Sequence, residues 1–119
     1  MEKKRDMNIQ IFGFKKCFDT KKAERYFKER KIKYQFVDLT MLGLSKGELQ
    51  SVKSAIGLKN LVNSESKDYK RLHMDRIIST DGREEMLLNN PSLYKTPIVR
   101  NGKQATVGYE PDVWESWRE

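Results

Sequence analysis

The chain contains a single cysteine, Cys17, and a single histidine, His73, among its 119 residues. One cysteine excludes an internal disulfide, and no cysteine and histidine cluster has metal-ligand spacing. Long apolar runs are missing too, so no stretch reads as a membrane span. The charged opening Met1 to Asp6 leads into a strand too short for the apolar region of a secretory signal. These absences lead to the expectation of a cytoplasmic protein with no metal, no bound cofactor and no membrane contact. His73 has nothing that pairs it with Cys17, and it reads as an exposed or half-buried helix residue.

Charge, by contrast, is plentiful. Lysine and arginine number 24 against 17 acidic residues, a formal net charge of +7, with 34% charged and 37% hydrophobic residues. This balance fits a small soluble protein with an extensively charged surface, and the length predicts one domain over residues 1–119. A basic surface suits anionic small molecules or an acidic protein face. The basic residues are not interleaved with aromatics as in nucleic-acid readers, which argues against that partner.

In chain order, residues 1–6 are charged and expected to fray. A strand is predicted over about Asn8 to Phe12, and a helix over about Asp19 to Arg30, where Ala23, Tyr26 and Phe27 recur at helical spacing. Tyr34 to Leu39 carries the aromatic and β-branched content of a second strand. Strand, helix and strand in close succession imply a parallel pair with a right-handed crossover. The middle of the chain, residues 43–90, reads as helices. Ser45 and Glu48 form a capping box ahead of Leu49, Val52 and Ile56, and Gly57 supplies a stop. Short helices follow over Tyr69 to Met74 and Asp81 to Leu88, the latter capped by Asp81 or a neighbour. Thr96 to Arg100 and Lys103 to Val107 form a hairpin through Asn101-Gly102, expected as a type I′ turn with positive φ at both residues. Pro111 opens a last helix that presents Val113, Trp114 and Trp117 as one apolar face, core rather than a binding box.

Cys17 sits where the first strand hands over to the first helix. The first turn of a helix has unpaired N–H groups and the positive end of the macrodipole, both of which favour a thiolate. Lys15, Lys16, Lys21 and Lys22 add cationic field, and Thr20 is placed either to cap the helix or to donate its hydroxyl to the sulfur. On local chemistry alone a reactive thiol and a small buried cysteine remain equal alternatives.

The run Gly13-Phe-Lys-Lys-Cys-Phe-Asp-Thr-Lys-Lys-Ala-Glu-Arg-Tyr-Phe27, with Ile32-Lys-Tyr-Gln-Phe-Val-Asp-Leu39, resembles the opening of the ArsC/Spx family of arsenate reductase-like proteins. Gly57-Leu-Lys-Asn-Leu-Val-Asn63 and Asn90-Pro-Ser-Leu-Tyr-Lys-Thr-Pro-Ile-Val99 resemble its middle and closing segments, so the likeness covers nearly the whole chain. The resemblance implies an α/β thioredoxin-like (glutaredoxin-like) fold. In it a four-stranded mixed sheet from residues 1–42 and 91–119 is interrupted by a helical insertion over 43–90. It also implies that Cys17 is the nucleophile and that Pro97 is cis beside it, with Thr96 presenting its backbone to whatever docks there.

Arsenate reductases of this fold hold the oxyanion with arginines. One stands directly before the cis proline, where this chain has Thr96. The others belong in stretches matching Leu61 to Ser64 and Gly108 to Pro111, which contain none. Planar arginines suit a tetrahedral oxyanion better than scattered lysines do, so the likeness points away from arsenate reduction. The Spx branch, regulators that bind the RNA polymerase alpha subunit, typically carries Cys-x-x-Cys, whereas Thr20 occupies the fourth position here. Cys17-x-x-Thr20 instead resembles a monothiol site that forms a mixed disulfide with glutathione, another low-molecular-weight thiol or a redoxin. Lys16 and Thr20 would then activate Cys17, with Lys15, Thr96 and Pro97 binding the incoming thiol. An Spx-like, non-enzymatic polymerase-binding role is the alternative.

Overall fold

The computed structural model describes residues 7–118; the fraying expected of residues 1–6 lies outside the described residues. Strand β1 (Ile9–Gly13) runs into helix α1 (Phe18–Glu29), which returns the chain to β2 (Tyr34–Asp38) alongside and parallel to β1. The helical segment follows: α2 (Lys46–Ile56), α3 (Leu58–Leu61), α4 (Lys67–Arg71), a 3₁₀ turn at Met74–Arg76, α5 (Thr80–Asn89) and a second 3₁₀ turn at Pro91–Leu93. Strands β3 (Ile98–Asn101) and β4 (Gln104–Val107) then form an antiparallel hairpin, and α6 (Pro111–Trp117) ends the fold. The sheet order is β2-β1-β3-β4, with β1 antiparallel to β3.

Strand alternation splits the core between the two faces of the sheet. Ile9 and Ile11 of β1 point to one face with Val99 of β3, where Ala23, Tyr26 and Phe27 of α1 meet Trp114 and Trp117 of α6. Phe12 and Ile98 point to the other with Val37 of β2, against Leu49, Val52, Leu61, Leu87 and Leu93 of the helical segment. Each such side chain removed fully from water stabilises by about 1.5–3 kcal/mol. Trp114 adds a polar anchor, donating its Nε1 proton to Thr106 Oγ1 at 2.8 Å inside this core. Val113, expected on the same apolar face, is turned outward and is 39% exposed.

Most predicted boundaries shift by a residue or two, as element ends commonly do, and side-chain caps fix the starts of α2, α4 and α5 at Ser45, Ser66 and Ser79. The Ser45–Glu48 capping box forms as expected, and Gly57 ends α2 at φ 96°. Helix α5 is capped by Ser79, whose hydroxyl accepts from the Gly82 N–H; Asp81 lies within its first turn. The helix expected over Tyr69 to Met74 is instead broken in two. His73 adopts φ 57°, a left-handed conformation more common for histidine than for most side chains, and this redirects the chain so that Met74 can be buried. The hairpin differs as well. Asn101 pairs with Gln104 as the last residue of β3, so the loop residues are Gly102 and Lys103. Only Gly102 has positive φ, at 61°, which is the requirement of a type II′ rather than a type I′ turn.

Candidate functional site

Cys17 itself is the N-cap of α1, with extended backbone (φ −75°, ψ 123°) and a carbonyl that accepts the Lys21 N–H at 3.1 Å. Its own N–H is held by the Phe14 carbonyl at 2.9 Å, which fixes the turn between β1 and α1. The half-buried sulfur thus faces the open end of the helix. Thr96 reaches it from the far end of the sequence: its Oγ1 donates to Sγ at 3.2 Å, and its carbonyl lies 3.8 Å from the sulfur, able to take the thiol proton. The Thr96–Pro97 peptide is cis, and Pro97 is buried.

Partial burial pushes the Cys17 thiol up, but the opposing hydrogen bonds outweigh it and the net displacement is downward. Those bonds come from the Thr20 and Thr96 hydroxyls and from the Thr20 and Asp19 N–H groups. Thr20 is fully buried and does not cap α1. Its Oγ1 has no well-formed partner in the thiol state, so its proton is free to turn to the sulfur when the thiolate forms. It is set there by Gly13, which brings the end of β1 so close that a Cβ at that residue would lie 2.4 Å from Thr20 Oγ1.

Of the residues expected at the site, Cys17, Thr20, Thr96 and Pro97 come together, whereas Lys15 and Lys16 do not join them. Both lysines are exposed, and neither charge contributes to the displacement of the thiol. Water screens such side chains strongly, while hydrogen bonds at contact distance are not screened. Lys15 acts instead on Asp38, whose carboxylate is held low mainly by the Thr40 hydroxyl and N–H, with a smaller effect from the lysine.

The sulfur opens on a groove of about 520 Å³ that is also lined by Asp19, Asn63, Ser64, Glu65, Lys95, Thr96, Val107 and Gly108. Backbone pairing brings these segments together: Asn63 N–H to Leu93 carbonyl and Lys95 N–H to Leu61 carbonyl, both 2.8 Å, and Gly108 N–H to Pro97 carbonyl at 2.8 Å. The two stretches singled out for missing arginines therefore do face Cys17, through Asn63, Ser64 and Gly108. Arg83 lines only the adjoining hollow, with its Nε bonded to the Ile77 carbonyl at 2.7 Å. Glu65 and Lys95 had no local signal in the sequence, because their place depends on pairing across the helical segment.

A β-α-β unit joined to a β-hairpin, with a cysteine at the first helix N-terminus facing a cis proline, defines a thioredoxin-like protein. More narrowly, the chain belongs to the ArsC family, whose profile matches residues 12–117. Its relatives include the protein YusI of Bacillus subtilis, 26% identical over 92% of this chain and 97% of that one. The global transcriptional regulator Spx of Streptococcus pyogenes is 25% identical over 87% of this chain and 80% of its own length. Among solved structures, an arsenate reductase from Vibrio cholerae superposes with a TM-score of 0.82, covering 92% of this chain and 97% of that one, at 21% identity; the likeness is one of fold. No described helix is long and apolar enough to cross a membrane.

Proposed function

We propose that this ArsC-family protein is a monothiol oxidoreductase whose single cysteine exchanges disulfides with an external thiol. The observation that carries the reading is the Thr96 hydroxyl directed at Cys17 Sγ from beside the cis proline, over an open groove. In this reading the Cys17 thiolate attacks one sulfur of a disulfide R–S–S–R′. The Cys17–S–R bond forms, the R–S–S–R′ bond breaks, and R′–S⁻ leaves with the electron pair. A second thiolate, from glutathione, another low-molecular-weight thiol or a redoxin, then attacks the R sulfur and returns Cys17 as thiolate. Thr96 and Thr20 hold the sulfur as an anion at both ends of the cycle, and Pro97 shapes the wall against which the substrate sulfur lies. Glutathione is a co-substrate here, not a bound cofactor.

Arsenate is a poor fit to the same groove. Its lining includes the carboxyl groups of Asp19 and Glu65 and only one cation, Lys95. An oxyanion there would meet like charge without the bidentate partners that offset it.

The test is the pH dependence of Cys17 alkylation by iodoacetamide, with thiolate absorbance followed in parallel and Cys17→Ser as blank. Treatment with glutathione disulfide and intact-mass analysis follow. The expected result is an apparent pKa below that of an ordinary thiol and a one-glutathione adduct that added thiol removes. A thiol that titrates at or above the ordinary value, or fails to react in the folded protein, would refute this reading. It would favour an Spx-like role on the RNA polymerase alpha subunit, which needs no thiol chemistry.

A further inference from the structure

Helix α1 presents Phe18, Lys21, Lys22, Arg25 and Lys28 along one exposed stripe, at spacings of three and four residues with its opposite face buried in the core. None of these four cations forms an ion pair with a described residue. The pairs Lys21–Arg25, Lys22–Arg25 and Arg25–Lys28 are like-charge neighbours on the helix, each mildly unfavourable. Glu29 lies at the far end of the stripe, and Glu24 flanks it beside Lys21, Arg25 and Lys28, its carboxylate accepting the Tyr34 hydroxyl at 2.8 Å. At the near end the stripe becomes aromatic. Phe18, next to Cys17, is 74% exposed, and Tyr109, next to Gly108 of the groove, is 41% exposed. Lys22 Nζ lies 6.0 Å from the Phe18 ring centroid and 5.4 Å from that of Tyr109, tying the two rings into one surface.

We infer that this face of α1 docks an acidic protein segment whose apolar residue covers Phe18 and Tyr109, so that the partner's sulfur is delivered to Cys17. Charge complementarity selects the partner. Carboxylates along the stripe relieve the repulsion among the four cations, and a large aromatic left in water beside the nucleophile gains by being covered. Continuity with Cys17 distinguishes this from a solvated charged face and from a phosphate-binding strip, which would gain nothing from an aromatic patch at the thiol. The delivery step rests on the monothiol reading, whereas the docking surface does not.

The experiment uses synthetic peptides, glutamate-rich, lysine-rich or serine-rich, each with a leucine beside a cysteine held as a mixed disulfide with thionitrobenzoate. Attack by Cys17 on the peptide sulfur forms the Cys17–peptide disulfide, breaks the peptide–aryl S–S bond and releases coloured thionitrobenzoate, the adduct being verified by intact mass. The glutamate-rich peptide is expected to react about tenfold faster than the serine-rich one at low salt, and the advantage should shrink as salt is raised. Reversing Lys21, Lys22, Arg25 and Lys28 to glutamate should abolish the preference. Reversing the exposed Lys33, Lys46, Lys70 and Lys103, for the same net charge, should leave most of it. Phe18→Ala should slow the leucine-bearing peptides without slowing iodoacetamide.

Fluorescent versions with serine in place of cysteine measure docking by anisotropy independently of the thiol. If these bind with the same selectivity while no peptide disulfide reacts, the docking surface stands and the oxidoreductase reading falls. Equal rates and affinities for all peptides, equal loss in both quadruple variants, or tighter binding of a single-stranded oligonucleotide than of the glutamate-rich peptide would overturn the inference.

Discussion

Gly13→Ala tests how the sheet positions the thiol. Gly13 ends β1 in a fully packed position, and a methyl group there would lie 2.4 Å from Thr20 Oγ1 and 2.7 Å from Thr20 Cγ2, far inside the 3.5–4.0 Å of ordinary contact. Neither side yields freely. β1 is paired on both edges, and Thr20 is buried in the first turn of α1. Overpacking of this kind costs about 1–3 kcal/mol. Thr20→Ala alone removes one buried methyl group and a hydroxyl that has no well-formed partner, a loss of about 1 kcal/mol. If the sites were independent, the double variant would lose about 2–4 kcal/mol, the sum of the two. In this structure the alanine methyl at residue 13 would occupy the space that Thr20 vacates. Only the 3.1 Å approach to the residue 20 Cβ would remain tight. The double variant should therefore be no less stable than Gly13→Ala, with a coupling of about 1–2 kcal/mol. Urea unfolding with unchanged m-values measures it. Additivity within about 0.5 kcal/mol would show that the two residues do not touch and that Gly13 does not set Thr20 in place. Thr20→Ala should also move the Cys17 thiol upward, read from its alkylation profile.

The remaining predictions concern titration. Thr96→Val keeps the shape of the side chain but removes the donor at 3.2 Å, so the Cys17 pKa should rise and alkylation at neutral pH should slow; an unchanged profile would exclude the hydrogen bond. Because the folded-state thiol is depressed, its stabilisation is present in full above the unfolded thiol pKa and disappears as pH falls through the folded value. The wild-type advantage over Thr96→Val should accordingly grow from neutral to alkaline pH. Glu84→Gln breaks the Lys53–Glu84 pair between α2 and α5, whose side chains are 32% and 15% exposed. The Lys53 hydrogen bond is the main reason that the Glu84 carboxyl is held low. The loss, about 1 kcal/mol at neutral pH after allowing for solvent screening, should fade as pH drops below the unfolded value of about 4.3. A pH-independent loss in urea titrations would rule out the ion pair as its cause.

Much of the architecture is legible in the chain because local chemistry decides it. Alternating Ile9, Ile11 and Phe12 must divide between two faces. Ala23, Tyr26 and Phe27 recur at helical spacing, Ser45 with Glu48 is a self-contained cap, and Pro111 suits the first position of a helix. The place of Cys17 at a strand-to-helix junction follows from the same kind of pattern, and likeness to a family extends it to the cis peptide before Pro97. What needed the tertiary structure is what depends on distant segments meeting. Thr96 finds the sulfur across 79 positions of sequence, and Asn63, Ser64 and Lys95 reach the groove only because residues 61–63 pair with 93–95. The lysines nearest Cys17 in sequence stay in water, where their field is screened, while hydroxyls and N–H groups brought to contact decide its charge. Sequence determined where the thiol would be, since strand and helix are set by neighbours; tertiary structure decided what acts on it, since hydrogen bonds depend on ångström-scale approach that only packing supplies.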